Sequence, residues 1–270
     1  MAKTRFQAGI ILVPILFSAL MVQVYAGAWP IRTGHGNATL GYSFLKTESV
    51  SNGQGQKEIY GVQESGLSTF GETGVIPSLA LNWCWGFLKS VSSDSMDNVA
   101  TTDPELGLTY YLGHRGKFYF SAMVNARIPV GPENTSQVPD FVYPLFSQQA
   151  WAWEVRPVLG WSQTGWWFQA SAGPRLRSGG LASQAGYNFA GGKKLGASIS
   201  TMLAFSGLFP LDTESVGSPA DREKYLGFQV AFAYQIKKHW ATGVQFDGMF
   251  GASQGMPLNL RSNLFGRYAW

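Results

Sequence analysis

The sequence predicts an all-β chain folded as a single transmembrane antiparallel β-barrel of about 12 strands, with short periplasmic turns and long extracellular loops. Three observations carry this reading. Apolar residues recur at every second position through most of the chain, charged residues make up only 13% of it, and the connections between candidate strands alternate between short and long. That charge content is about half the ~25% of an ordinary soluble domain, which argues against a fully solvated surface.

The first element is a leader. Lys3 and Arg5 precede an apolar run from Ala8 to about Leu20, with small residues at Val24, Ala26 and Ala28. This is the pattern of a secretory signal peptide over residues 1–26, cleaved after Ala26 or Ala28, which leaves 27–270 as the barrel. An uncleaved anchor is the alternative, and Pro14 together with the small-residue spacing disfavours it. No later apolar run reaches the ~18 residues that a membrane helix needs. The net charge of +4 falls to about +2 without the leader's two cations, and no basic patch points to nucleic acid. Cys84 is the sole cysteine, so no intrachain disulfide framework is possible, and it reads as a small strand residue.

Strands are expected near 35–46, 58–73, 78–90, 103–112, 117–130, 148–162, 165–178, 182–190, 193–206, 223–237, 239–251 and 258–270. Short turns fall at GVIP (74–77), GHRG (113–116), QTG (163–165), AGGK (190–193) and KKH (237–239). Longer connections cover 46–57, 90–102, 131–147 and 207–222. The two sets therefore belong to opposite rims, as in barrels that cross an outer membrane.

Alternation also sorts the faces. In WAWEVRPVLGW, Trp151, Trp153, Val155, Pro157, Leu159 and Trp161 share one side, leaving Glu154 and Arg156 on the other. Beside the short turns, Tyr110, Phe118, Trp161, Trp166, Tyr234 and Trp240 form an interfacial aromatic belt on the apolar side. The opposite faces carry mostly Gly, Ala, Ser, Gln and Asn, which suits a lumen. Strands facing lipid satisfy their backbone groups only in a closed barrel.

Strand parity predicts the lumen lining as Glu105, Arg127, Glu154, Arg156, Arg175, Arg177, Asp247, Asn259, Arg261, Asn263 and Arg267, with Gln229 and Gln245. Twelve tilted strands give a backbone diameter of roughly 24 Å and a lumen of about 12 Å or less. Two outcomes are open: guanidiniums lining a conducting, anion-favouring pore, or Arg and Glu pairing to close it.

The chain ends NLRSNLFGRYAW, with Leu258, Leu260, Leu264, Tyr268 and Trp270 in one register. This resembles the last strand of bacterial outer-membrane proteins, whose terminal aromatic is read by the barrel-assembly machinery. The resemblance makes Tyr268 and Trp270 the expected assembly signal. It implies the outer membrane of a Gram-negative bacterium, with outer-membrane lipid, the assembly machinery and export chaperones as partners, and a monomer.

AGAWPIRTGHGNATLGYSF (26–44), GETGVIPSLAL (71–81) and DPELGLTYYL (103–112) together resemble an outer-membrane family assigned to the MetA pathway of phenol degradation, which includes XagA-like proteins. Thr73 stands where that family usually has an aromatic, and Pro77-Ser78 where an acidic turn is common. The resemblance implies a channel or transporter for small organic compounds, aromatic or hydrophobic ones among them. The alternative is a non-transporting surface protein linked to exopolysaccharide or adhesion, and the loop at 131–147 separates the two by folding inward or outward.

Enzymatic chemistry has little to stand on. A barrel-borne lipid hydrolase needs a His that activates a Ser near the outer leaflet, and His35, His114 and His239 all fall at the short-turn end as solvated turn residues. Asp94, Asp97, Asp103 and Glu105 lack the EF-hand spacing for calcium. The sequence therefore predicts no catalytic residue, metal or cofactor.

Overall fold

The computed structural model describes residues 28–47, 50–51, 57–58, 62–93, 96–132, 149–179, 181–211, 225–251 and 259–270. The leader and most of the 131–147 loop lie outside these residues. The strands are β1 (Gly36–Thr47), β2 (Val50–Ser51), β3 (Lys57–Glu58), β4 (Val62–Ile76), β5 (Leu79–Ser93), β6 (Met96–Ala100), β7 (Glu105–Arg115), β8 (Phe118–Arg127), β9 (Ala152–Gln163), β10 (Trp166–Arg177), β11 (Gln184–Leu195), β12 (Ile199–Pro210), β13 (Tyr225–Lys237), β14 (Trp240–Gly251) and β15 (Asn259–Ala269).

β1, β4, β5 and β7 to β15 form a closed antiparallel barrel of twelve strands, in which each pairs with its sequence neighbour and β15 returns to β1. β2 and β3 make a separate small ribbon. β6 continues the line of β7 along the edge of β5, interrupted at Thr101–Pro104. There Trp85 Nε1 donates to Thr101 Oγ1 at 2.8 Å and the Gly86 and Thr102 groups bond each other, so the break is satisfied locally.

Burial alternates along the staves as the period-two pattern requires: Glu105, Gly107 and Thr109 are buried while Leu106, Leu108 and Tyr110 are exposed. The exposed apolar side of this wall far exceeds the patches of a few hundred Å² that soluble monomers expose. The belt residues Tyr110, Phe118, Trp166, Tyr234 and Trp240 all lie on it, with Tyr268 packed against Trp240 at 4.8 Å between centroids.

One turn differs from expectation. AGGK at 190–193 is inside β11, and the chain reverses at Gly196–Ser198 instead. The reason is steric. A Cβ at Gly192 would sit 2.4 Å from Trp167 Nε1, so this glycine makes room for an indole within the wall. Gly196, at φ +84°, takes the left-handed conformation of the turn.

Between β9 and β10 the ladder runs from Gln163 to Val158, lapses, and resumes at Glu154 opposite Arg175. Pro157 and Pro174 flank the lapse, and neither has an N–H to give it.

Candidate functional site: an occupied lumen

The interior is the one place where this wall gathers polar side chains. On the β7–β10 side, Glu105 Oε1 receives Arg127 Nη2 at 2.5 Å and Nε at 2.7 Å, and Arg175 Nη2 at 3.3 Å. Arg156 Nη2 binds Glu154 Oε1 at 2.5 Å. Arg177 Nε donates to the Ala182 carbonyl at 2.7 Å. Toward β4, β5 and β15, Glu64 holds Lys89 at 3.2 Å and Arg261 at 2.8 Å. The Asp247 carboxylate accepts from Gln229 Nε2 at 2.9 Å, Gln245 Nε2 at 3.0 Å and Asn263 Nδ2.

Of the residues that parity placed inside, Glu105, Glu154, Arg156, Arg175, Asp247, Arg261 and Asn263 are buried, and Arg127 and Arg177 are half-buried. Arg267 is exposed near the short-turn rim, and the side chain of Asn259 lies outside the described residues. Glu64 and Lys89 were not anticipated. They complete the Arg261 cluster: Glu64 shares the inward parity of Ser68 in β4, whereas Lys89 comes inside only beyond the register shift that separates it from Cys84 in β5. Paired charges of this kind reduce the free field of the Arg residues, since each carboxylate neutralises a guanidinium at contact distance.

The larger surprise is a segment without a strand period. Residues 28–35 precede β1 and turn into the barrel from the short-turn rim. Gly34 N donates to Gly74 O and Gly74 N to His35 O, both at 2.9 Å, tying the base of the segment to β4. Above this, Ala28 is fully buried against Met123 and Val158. Its carbonyl accepts from Ser121 Oγ at 2.9 Å. Trp29 stands 6.0 Å from Tyr119 and edge-on to Trp167 at 6.1 Å between centroids. A Cβ at Gly160 would meet the Ala28 Cβ at 2.5 Å, so the wall is recessed where the segment sits.

The histidines have other duties. His35 Nδ1 lies 3.1 Å from the Trp270 carbonyl and His239 Nδ1 lies 2.8 Å from that of Ala269, while His114 stacks on Tyr119. All three are exposed at the short-turn end, as expected, and each has a local partner there. Asp103 accepts from the Val130 and Gly131 amides, and Glu105 belongs to the Arg cluster, so neither is set out as part of an acidic loop. Asp94 lies outside the described residues. Cys84 is buried in β5, as a small strand residue.

No protein-family model matches the sequence, and no curated relative does. Similarity appears among solved structures. The COG4313 outer membrane channel from Pseudomonas putida F1 aligns with a TM-score of 0.67 at 15% identity, over 92% of this chain and 100% of that one. The sequence resemblance also pointed to a family of outer-membrane barrels, and at this identity the alignment bears out the barrel fold alone. The NanC porin aligns with a TM-score of 0.53 at 6% identity, over 86% of this chain and 98% of that one. The translocator domain of the autotransporter NalP from Neisseria meningitidis aligns with a TM-score of 0.50 at 10% identity, over 88% and 90% of the two chains. At these identities the shared property is architecture: the chain is a closed antiparallel β-barrel of the outer-membrane type.

Proposed function

We propose that the protein is an outer-membrane channel for small organic solutes, with its lumen narrowed at rest by residues 28–31. The observation that carries this reading is the seating of Ala28 and Trp29 in the barrel. A filled core would consist of interlocked wall side chains, whereas here the obstruction is a tethered segment held by the Ser121 hydrogen bond and ring contacts. An obstruction of that kind can leave without unfolding the wall.

Where the segment sits, Trp29, Tyr119 and Trp167 offer ring faces and edges, which supports solutes with an apolar or aromatic part. The Arg and Glu pairs lie further from the short turns and form a polar lining. The short turns are assigned to the periplasm and the long loops to the exterior, following the habit of outer-membrane barrels.

The test is conductance of the refolded protein in planar bilayers, compared with a variant lacking residues 28–31. The reading expects a small conductance that rises on deletion. Complete silence from both proteins, with heat-modifiable migration proving the barrels intact, would sink the channel and leave the surface-protein alternative.

A further inference from the structure

The short turns themselves are charged in one sense only. Arg115 and Lys117 flank the β7–β8 turn, Lys193 and Lys194 end β11, and Lys237 and Lys238 close β13. Of the sixteen acidic residues in the chain, none lies in a short turn. None of the six cations has an ion pair among the described residues. All but Lys193 are exposed, and Lys193 lies on the apolar outer side, its Nζ 4.5 Å above the Trp166 ring.

We infer that this rim is a docking surface for the phosphate groups of anionic phospholipids in the adjoining leaflet. The arrangement around the barrel decides between possible occupants. The cations occupy three separate hairpins, β7–β8, β11–β12 and β13–β14, with the uncharged β9–β10 turn between the first two. A protein partner would need them gathered on one side, and Lys193, over the outward Trp166 ring, faces away from the lumen that a solute funnel would line. An annulus of lipid meets all three hairpins at once. Trp166, Trp240 and Phe118 lie just beyond these turns on the same outer surface, where rings settle at headgroup depth. Lys193 over Trp166 then has its ammonium at the level of the phosphate while its stem covers the ring.

The test uses the intact barrel reconstituted in equal mixtures of phosphatidylglycerol and phosphatidylcholine, with retained lipids counted by native mass spectrometry. Each cation near an anionic leaflet is worth roughly fivefold in association. Wild-type protein should therefore keep phosphatidylglycerol in several-fold excess at low salt, and lose the excess in high salt. The variant K117Q/K193Q/K194Q/K237Q/K238Q, which keeps only Arg115 of the six, should lose most of the excess, with heat-modifiable migration reporting that it is folded. If it does not fold, R115Q/K117Q tests one hairpin alone and should remove part of the excess. Equal retention of both lipids by wild type would overturn the inference, as would an excess unchanged in either variant. So would a soluble-anion site, seen as wild-type thermal stabilisation by inorganic phosphate without any lipid preference.

Discussion

Gly160→Val tests the occupied lumen most directly. Ordinary contact between two carbon atoms is about 3.5–4.0 Å, and even a Cβ at Gly160 would lie 2.5 Å from that of Ala28 and 3.3 Å from the Trp29 ring. The seated segment has little in reserve. Burying on the order of 150 Å² of apolar surface on Ala28 and Trp29 contributes about 4 kcal/mol, and the Ser121 bond about 1 kcal/mol. Ordering the four residues 28–31 costs about 4 kcal/mol. Overpacking by the added methyls costs a further 1–3 kcal/mol, roughly 5- to 150-fold in the equilibrium, and so favours the vacated lumen. A lumen about 12 Å wide has a cross-section of ~110 Å². An extended chain occupies roughly 50 Å² of it. Vacating the lumen should therefore about double the single-channel conductance. Ala231→Val, which adds two of the same three carbons at an interior position in β13, is the control and should leave conductance the same or slightly lower. If Gly160→Val conducts like wild type while its barrel is intact, the segment is not the obstruction.

Other expectations follow from the interior pairs, the seam and the topology. Glu105→Gln frees Arg127 and Arg175 from their shared carboxylate, so reversal potentials in a salt gradient should move toward anion selectivity; an unchanged potential means that the pair does not face the ion path. Removing Trp270 takes away the reciprocal bonds to Gly36, at 3.0 and 3.2 Å, and the partner of His35; barrel assembly should slow several-fold in pulse-chase while export continues, and normal kinetics would show the terminal aromatic to be dispensable. Protease added to intact cells should cut within 131–147 and spare 237–239, whereas cleavage at the latter turn reverses the orientation.

The strands were legible because lipid outside and a polar lumen inside impose one rule on every stave. Arg156 and Pro157 differ by one position and fall on opposite faces, as their sequence parity states. The AGGK turn was misplaced because consecutive glycines signal a reversal and a ring-receiving recess equally well; only the indole of Trp167, far away in sequence, distinguishes the two. Residues 28–35 were beyond pattern reading for a different reason. Their conformation is set by what they enter, and the only local hint was on the receiving wall, where Gly160 interrupts an otherwise side-chain-bearing interior face of β9. Lumen pairing had an intermediate status. Parity brought Glu105 and Arg127 to the same side, but cross-strand register was needed to put them opposite one another.

The seam between β1 and β15 carries a consequence in time. His35 and Trp270 meet across 235 positions of sequence. Closing a flexible loop of that length first would cost about 5 kcal/mol of chain entropy. Successive hairpins on short turns avoid this, because each adds a neighbour to an existing edge and shortens the gap still to be spanned. The order of events this favours leaves β1 and β15 as the last free edges, each presenting a row of unpaired amides and carbonyls to an apolar medium. Closure is then a single late step registered by Asn37 opposite Ala269 and Leu45 opposite Arg261. A nearly complete sheet waiting for that step is long-lived and adhesive, so something must hold one of its edges until the other arrives.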